Sequence, residues 1–184
     1  MSTVKSEIAA FAMGIVAHKS FSSFSYDDIS RAFGMTKAAV HYHFKNKEDL
    51  GVAICELIRD KMLESRQAEV EAARKGRHPW LYIETRFKAL PSNGICPIVS
   101  MQADFENLPE QLRAALAEVT SVEIENLRLL TRAYDDTIDD EIVLPLLFSI
   151  KGALQYRRVM GEGFFKKAMK NIKNQFYAAI PRRA

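Results

Sequence analysis

The sequence predicts an all-α protein of about nine helices. A three-helix module lies at its N-terminus and a larger helical domain follows. Three observations lead there. Apolar residues recur at helical spacing almost everywhere, and no segment shows the alternation of a half-buried strand. Chain breakers are scarce, with 8 Gly and 6 Pro in 184 residues. Capping residues and glycines fall at regular intervals between the periodic segments.

The elements follow in order. The first helix is expected from Thr3 to Lys19, with Ile8, Phe11, Ala12 and Ile15 as its apolar stripe. Ser25-Tyr26-Asp27-Asp28 reads as a capping box that opens a second helix, which Gly34 ends in a left-handed turn. Thr36 caps a short third helix, Lys37 to His43, and Asn46 caps a fourth, long one running to about Lys75. Leu50, Ile54, Leu57 and Ile58 give the fourth helix its buried face. A fifth helix starts at Pro79 and reaches Leu90, and Pro91-Ser92-Asn93-Gly94 is a turn signal. The sixth covers Pro97 to Glu106. The seventh starts at Pro109 with the stripe Leu112, Leu116, Val119, Leu127 and Leu130. An eighth runs to about Met160, starting late or kinking at Pro145. Gly161 and Gly163 separate it from a ninth, lined by Phe165, Ala168, Met169, Ile172, Phe176 and Ala179.

Composition sets bounds on function. Hydrophobic residues make up 48% and charged residues 27%, the balance of a soluble globular chain. The net charge of +3 permits nucleic-acid binding without arguing for it, so any DNA footprint must come from placement. Two cysteines, Cys55 and Cys96, form no disulfide framework and fit a reducing cytoplasm. No apolar run is long enough to span a bilayer, and Met1 to Ala10 lacks the order of a signal peptide, so a cytoplasmic protein is expected.

Residues 25–49 carry the functional signal. Two short helices joined through Gly34-Met35 match a helix-turn-helix, whose second helix enters the major groove. Ala38 and Ala39 allow close backbone approach and contact with a thymine methyl, while Thr36 and Lys37 can donate to bases or phosphates. Tyr42 can donate to a phosphate, and Lys47 adds charge beside free backbone amides. Val40 and Phe44 are read as core and His43 as a packing residue. His41 and His43 point to different helix faces with no third ligand near, so no metal site is expected.

The run from Phe24 to Ser30, with Phe33-Gly-Met-Thr-Lys-Ala-Ala-Val-His-Tyr-His-Phe-Lys-Asn-Lys-Glu-Asp-Leu50, resembles the TetR/AcrR family of transcription regulators over about the first fifty-five residues. The resemblance implies a DNA-binding domain at 1–47 and an effector-binding and dimerisation domain at 48–184. It implies a homodimer built from the last two helices, on a pseudopalindromic double-stranded operator that is released when a small apolar or reactive effector binds. Thr36, Lys37, Ala38 and Ala39 fall where the family reads bases. Ser25, Tyr26, Tyr42 and Lys47 fall around its phosphate contacts. His41 stands where the family commonly has Tyr, leaving the principal contact open between His41 and Tyr42.

The segment from Gly94 to Pro109 resembles one branch of the family, that of the N-ethylmaleimide reductase repressor, where a cysteine at this position senses electrophiles. For Cys96 that role stands against a small buried hydrophobe at the domain interface. Met62, Trp80, Phe87, Cys96, Met101, Phe105, Phe148 and Tyr156 are the candidate lining of an effector pocket. The chain has no Gly-rich phosphate loop and no nucleophile paired with a base, so neither an enzyme nor a cofactor is expected.

Overall fold

The computed structural model of the chain describes residues 3–90 and 94–183. Eight α-helices connect through short turns, and no strand occurs among the described residues. They are α1 (Thr3–His18), α2 (Tyr26–Phe33), α3 (Lys37–His43), α4 (Lys47–Arg74), α5 (Pro79–Lys88), α6 (Pro97–Gln102), α7 (Glu110–Tyr134) and α8 (Val143–Ala179). No helix is long and apolar enough to cross a membrane among the described residues. The turn expected at Pro91-Ser92-Asn93 lies outside them.

The chain forms two compact units. The first comprises residues 1–61 and 97–121, the second residues 62–96 and 122–184. The sequence division after residue 47 falls at the first turn of α4, whereas packing keeps the rest of that turn and much of α7 with the N-terminal helices. The reason is visible at Gly51. A Cβ there would lie 2.8 Å from Leu112 Cδ2 and 2.9 Å from Phe21 Cζ, so the bare α-carbon lets these side chains pack directly against α4. Ser100 also donates to the Lys19 carbonyl at 3.3 Å, and the Ser22 amide to Asp104 at 3.2 Å.

In the first unit α1 packs on α2 and α6, and α2 packs on α3. Its core contains Ile8, Ala12, Val16, Ile29, Val40 and Phe44, all essentially without exposure. The α1 stripe is displaced from the expected one. Ile8, Ala9, Ala12 and Val16 are buried, Ile15 is half-buried, and Phe11 is exposed against the edge of Phe33, 5.3 Å between ring centroids.

The second unit has one apolar core from the end of α4, α5, the end of α7 and α8. Trp80, Tyr134, Leu127, Leu130, Ile150 and Phe176 are among its members. His78 caps α5 from inside that core. Its Nδ1 accepts from the Trp80 amide at 3.1 Å and its Nε2 lies 2.7 Å from the Ile180 carbonyl. A carbonyl only accepts, so Nε2 carries the proton and the neutral ring is fully satisfied. Burial, chiefly, holds the His78 pKa below its ordinary value.

The eighth and ninth helices expected from sequence form a single run, α8, with one interruption. Gly161 stands at φ 80°, outside helical geometry, while Gly163 continues the helix. Pro145 causes no break. It sits in the first turn of α8, where its missing amide has no helical acceptor to lose.

Candidate nucleic-acid interface

The first unit presents α3 outward. Thr36 caps it, the hydroxyl oxygen accepting from the Ala39 amide at 3.2 Å. Gly34, at φ 63°, makes the left-handed stop that separates α2 from it. Val40 and Phe44 are buried beneath, anchoring the helix. Thr36, Lys37, Ala38, His41 and Tyr42 are exposed on the other side, and Ala39 is half-buried. Tyr42 stands 85% exposed, its ring edge-on to that of His43 at 5.2 Å between centroids.

Asp28 organises the start of α2. Its carboxylate accepts from the Ser25 amide at 2.9 Å, completing the capping box, and pairs with Lys19 at 3.1 Å and Arg31 at 3.3 Å. These bonds, the Ser25 amide foremost, hold its pKa down at about 2. Lys37 pairs with Asp27 at 2.7 Å, both side chains being more than half exposed. Such a pair contributes little and opens readily to a competing phosphate.

Three further residues assigned to DNA from sequence also have internal partners. The Tyr26 hydroxyl donates to the Phe44 carbonyl at 3.2 Å and also contacts the Asn46 carbonyl closely. Burial and the nearby Asp49 and Glu48 raise its pKa, so it remains a donor. Tyr26 thus fastens the start of α2 to the loop that follows α3. His41 packs edge-on against Tyr26, 4.6 Å between centroids, and its Nδ1 lies 3.2 Å from the Lys45 carbonyl. That leaves Nε2 of His41 as the ring edge for other partners. Lys47 donates to the Ser22 carbonyl at 2.8 Å and lies over the rings of Phe24 and Phe21, at 4.6 and 5.2 Å. Partial burial lowers its pKa. Lys45, exposed in the turn after α3, is a further candidate that the sequence reading passed over. A lysine directly following a recognition helix was the available signal.

The eight candidate pocket residues divide between the two units. Met101, fully buried, and Phe105, under the Arg113 guanidinium, belong to the first unit, and the other six to the second. Met62 is fully buried. Phe148 and Tyr156 are 57% and 61% exposed on α8. Trp80 and Phe87 do meet, their rings 6.1 Å apart, and both line a cavity of about 540 Å³ between α5 and the second half of α8. Cys96 lies apart from it. The Lys151 ammonium donates to its sulfur at 3.8 Å and pairs with Glu123 at 2.6 Å. Burial opposes the charge on Lys151, but Cys96 and Glu123 more than offset this, and its pKa is raised. Cys55 is fully buried in α4, which pushes its thiol pKa up to about 12 and makes it inert.

Residues 8–54 match the family model described as bacterial regulatory proteins, tetR family. Among solved structures, the chain is similar to a TetR transcriptional regulator from Legionella pneumophila, at 24% identity and a TM-score of 0.81, covering 98% of each chain. It is also similar to a TetR-family regulator from Agrobacterium tumefaciens, at 19% identity and a TM-score of 0.71, covering 94% of this chain and 97% of that one. The reduced form of E. coli NemR matches at 17% identity and a TM-score of 0.69, over 98% of both chains. No curated protein matches significantly.

Proposed function

We propose that this chain, whose residues 8–54 match the tetR family model, is a DNA-binding transcription regulator of that family, a homodimeric repressor whose α3 reads operator DNA and whose second unit takes a small effector. The observation that carries the reading is α3 itself: Val40 and Phe44 hold it in place while Lys37, Ala38, His41 and Tyr42 face solvent. Thr36, Lys37, Ala38 and Ala39 are the proposed base-reading end, with Ser25, His41 and Tyr42 on phosphates. Tyr26 and Lys47 support the module from within.

The dimer reading has its own support. Phe148, Tyr156, Val159, Met160 and Phe164 form an exposed apolar stripe along α8, with Val159 83% exposed. Spacings of three and four place Phe148, Gly152, Tyr156, Val159 and Met160 on one face, and beyond Gly161 the Phe164 ring lies 6.4 Å from that of Tyr156, the pattern of a helix awaiting a partner helix. In a symmetric dimer the two copies of α3 would enter major grooves about 34–36 Å apart, giving a pseudopalindromic operator. Effector binding would favour a dimer in which that spacing is wrong.

Selection from randomised duplexes tests the reading. Inverted half-sites whose centres are one helical turn or a multiple of it apart support it, and absence of enrichment above non-specific binding overturns it. A Val159→Glu variant that sediments like wild type would remove α8 from the dimer.

A second reading has a specific observation behind it. Cys96 is a free, partly exposed thiol with the Lys151 ammonium 3.8 Å from its sulfur. In that version the effector is a reactive electrophile. Derepression by electrophiles that survives Cys96→Ser would eliminate it.

A further inference from the structure

We infer that the cavity between α5 and the second half of α8 binds a small organic anion with an apolar body, a carboxylate carried on a hydrocarbon chain. The inference deepens the effector reading above, on which it rests only for its regulatory consequence.

The walls combine two surfaces. Trp80, Phe87, Phe165 and Met169 supply an apolar floor. Lys88, Lys166, Lys170 and Lys173 stand around it. The pattern follows from helix geometry, since positions 165 and 169 lie beside positions 166, 170 and 173 on successive rows of α8. Lys88 and Lys173 share one carboxylate, Glu84, at 3.6 Å each. Lys166 and Lys170 have no ion-pair partner among the described residues. The four lysines face two carboxylates, Glu84 and Glu162. A neutral ligand would leave that excess uncompensated, whereas an anion relieves it and leaves its apolar part on the floor. Trp80 is 1% exposed, and its indole Nε1 has no acceptor among the described residues. The volume of about 540 Å³ is that of a small-molecule site.

Trp80 is the only tryptophan in the chain, so emission from the intact protein reports on this cavity alone. The test titrates decanoate and decanol, which share a chain and differ in charge, and follows Trp80 emission. Decanoate is expected to bind roughly tenfold tighter than decanol, the scale of one charge-assisted contact. Adding salt should narrow the gap. In the double variant Lys166→Glu, Lys170→Glu, at exposed positions where folding is indifferent, decanoate should lose its advantage while decanol binds as before. Equal affinity for the two ligands, an advantage that survives the charge reversal, or emission unmoved by either ligand would each overturn the inference. A gel shift with operator DNA separates this from the effector reading. Decanoate that binds Trp80 but leaves the DNA complex intact upholds the site and counts against its role as the effector pocket. Release of DNA by another small molecule, with Trp80 emission unchanged, supports an effector and removes this cavity from the role.

Discussion

Replacing Lys47 by Met separates two tasks that the residue could perform. The structure gives its ammonium an internal one. It donates to the Ser22 carbonyl at 2.8 Å and faces the Phe24 ring at 4.6 Å. A hydrogen bond from a charged donor contributes about 1.5–3 kcal/mol where solvent is excluded, and a partly exposed cation–π contact about 0.5–1 kcal/mol. Lys47 is only partly buried and Ser22 is exposed, so water takes over much of the loss. Methionine keeps most of the packing of the stem. The net cost should be about 1–2 kcal/mol, which for a chain of this length lowers the melting temperature by roughly 2–8 °C. Thermal unfolding followed by circular dichroism measures it. DNA affinity titrated against salt supplies the second readout. A lysine whose charge neutralises a phosphate contributes about 0.9 to the slope of log K against log salt. The slope for Lys47→Met should therefore stay near that of wild type. An unchanged melting temperature with a slope reduced by about 0.9 would refute this reasoning and return Lys47 to the phosphate contacts.

Other perturbations follow from single contacts. Gly51→Val should cost about 1–3 kcal/mol, because even a Cβ would press on Leu112 and Phe21 at under 3 Å; denaturant unfolding checks this, and an unchanged midpoint contradicts the close approach. Gly161→Ala should cost about 1–2 kcal/mol from backbone strain alone, since φ is +80° and nothing crowds the added methyl. His78 predicts a pH dependence with a definite sign. Its folded pKa lies below the unfolded value, so the unfolded chain takes up the proton first as pH falls. Its contribution is flat above about pH 6.5 and is lost as pH drops through the folded pKa, because a proton on Nδ1 would face the Trp80 amide. That acid-side loss should be smaller in His78→Gln, measured as melting temperature against pH.

Local chemistry was the most legible part of the sequence. The box at Ser25 and Asp28, the left-handed Gly34 and the Thr36 cap bracket α2 and α3 to the residue, because each depends on neighbours within three positions. The acceptor at Asn46 for the Asp49 amide is of the same kind. Facts that depend on distant partners were less accessible. The burial of α1 shifts from Phe11 and Ile15 to Ala9 and Val16 because α2 and α6 approach it from a side that no local pattern records. Tyr26 and Lys47 turn inward toward carbonyls 20 and 25 residues away in sequence. Of the aromatic and Met residues at helical spacing, Trp80 and Phe87 line the cavity between α5 and α8. The same spacing describes a core residue such as Met62 and an outward stripe such as Phe148 and Tyr156. Pro145 reads as a helix interruption until the start of α8 is seen two residues before it.

The outward face of α3 is tested most directly by fluorescence anisotropy with a duplex that the wild-type protein selects, comparing it with Lys37→Ala, Tyr42→Ala. Both side chains lie on the surface, so melting temperature should move by no more than about 2 °C. Affinity should fall roughly 30-fold or more, and the salt slope by about one unit. Unaltered affinity in a folded double variant would mean that this face of α3 does not meet DNA.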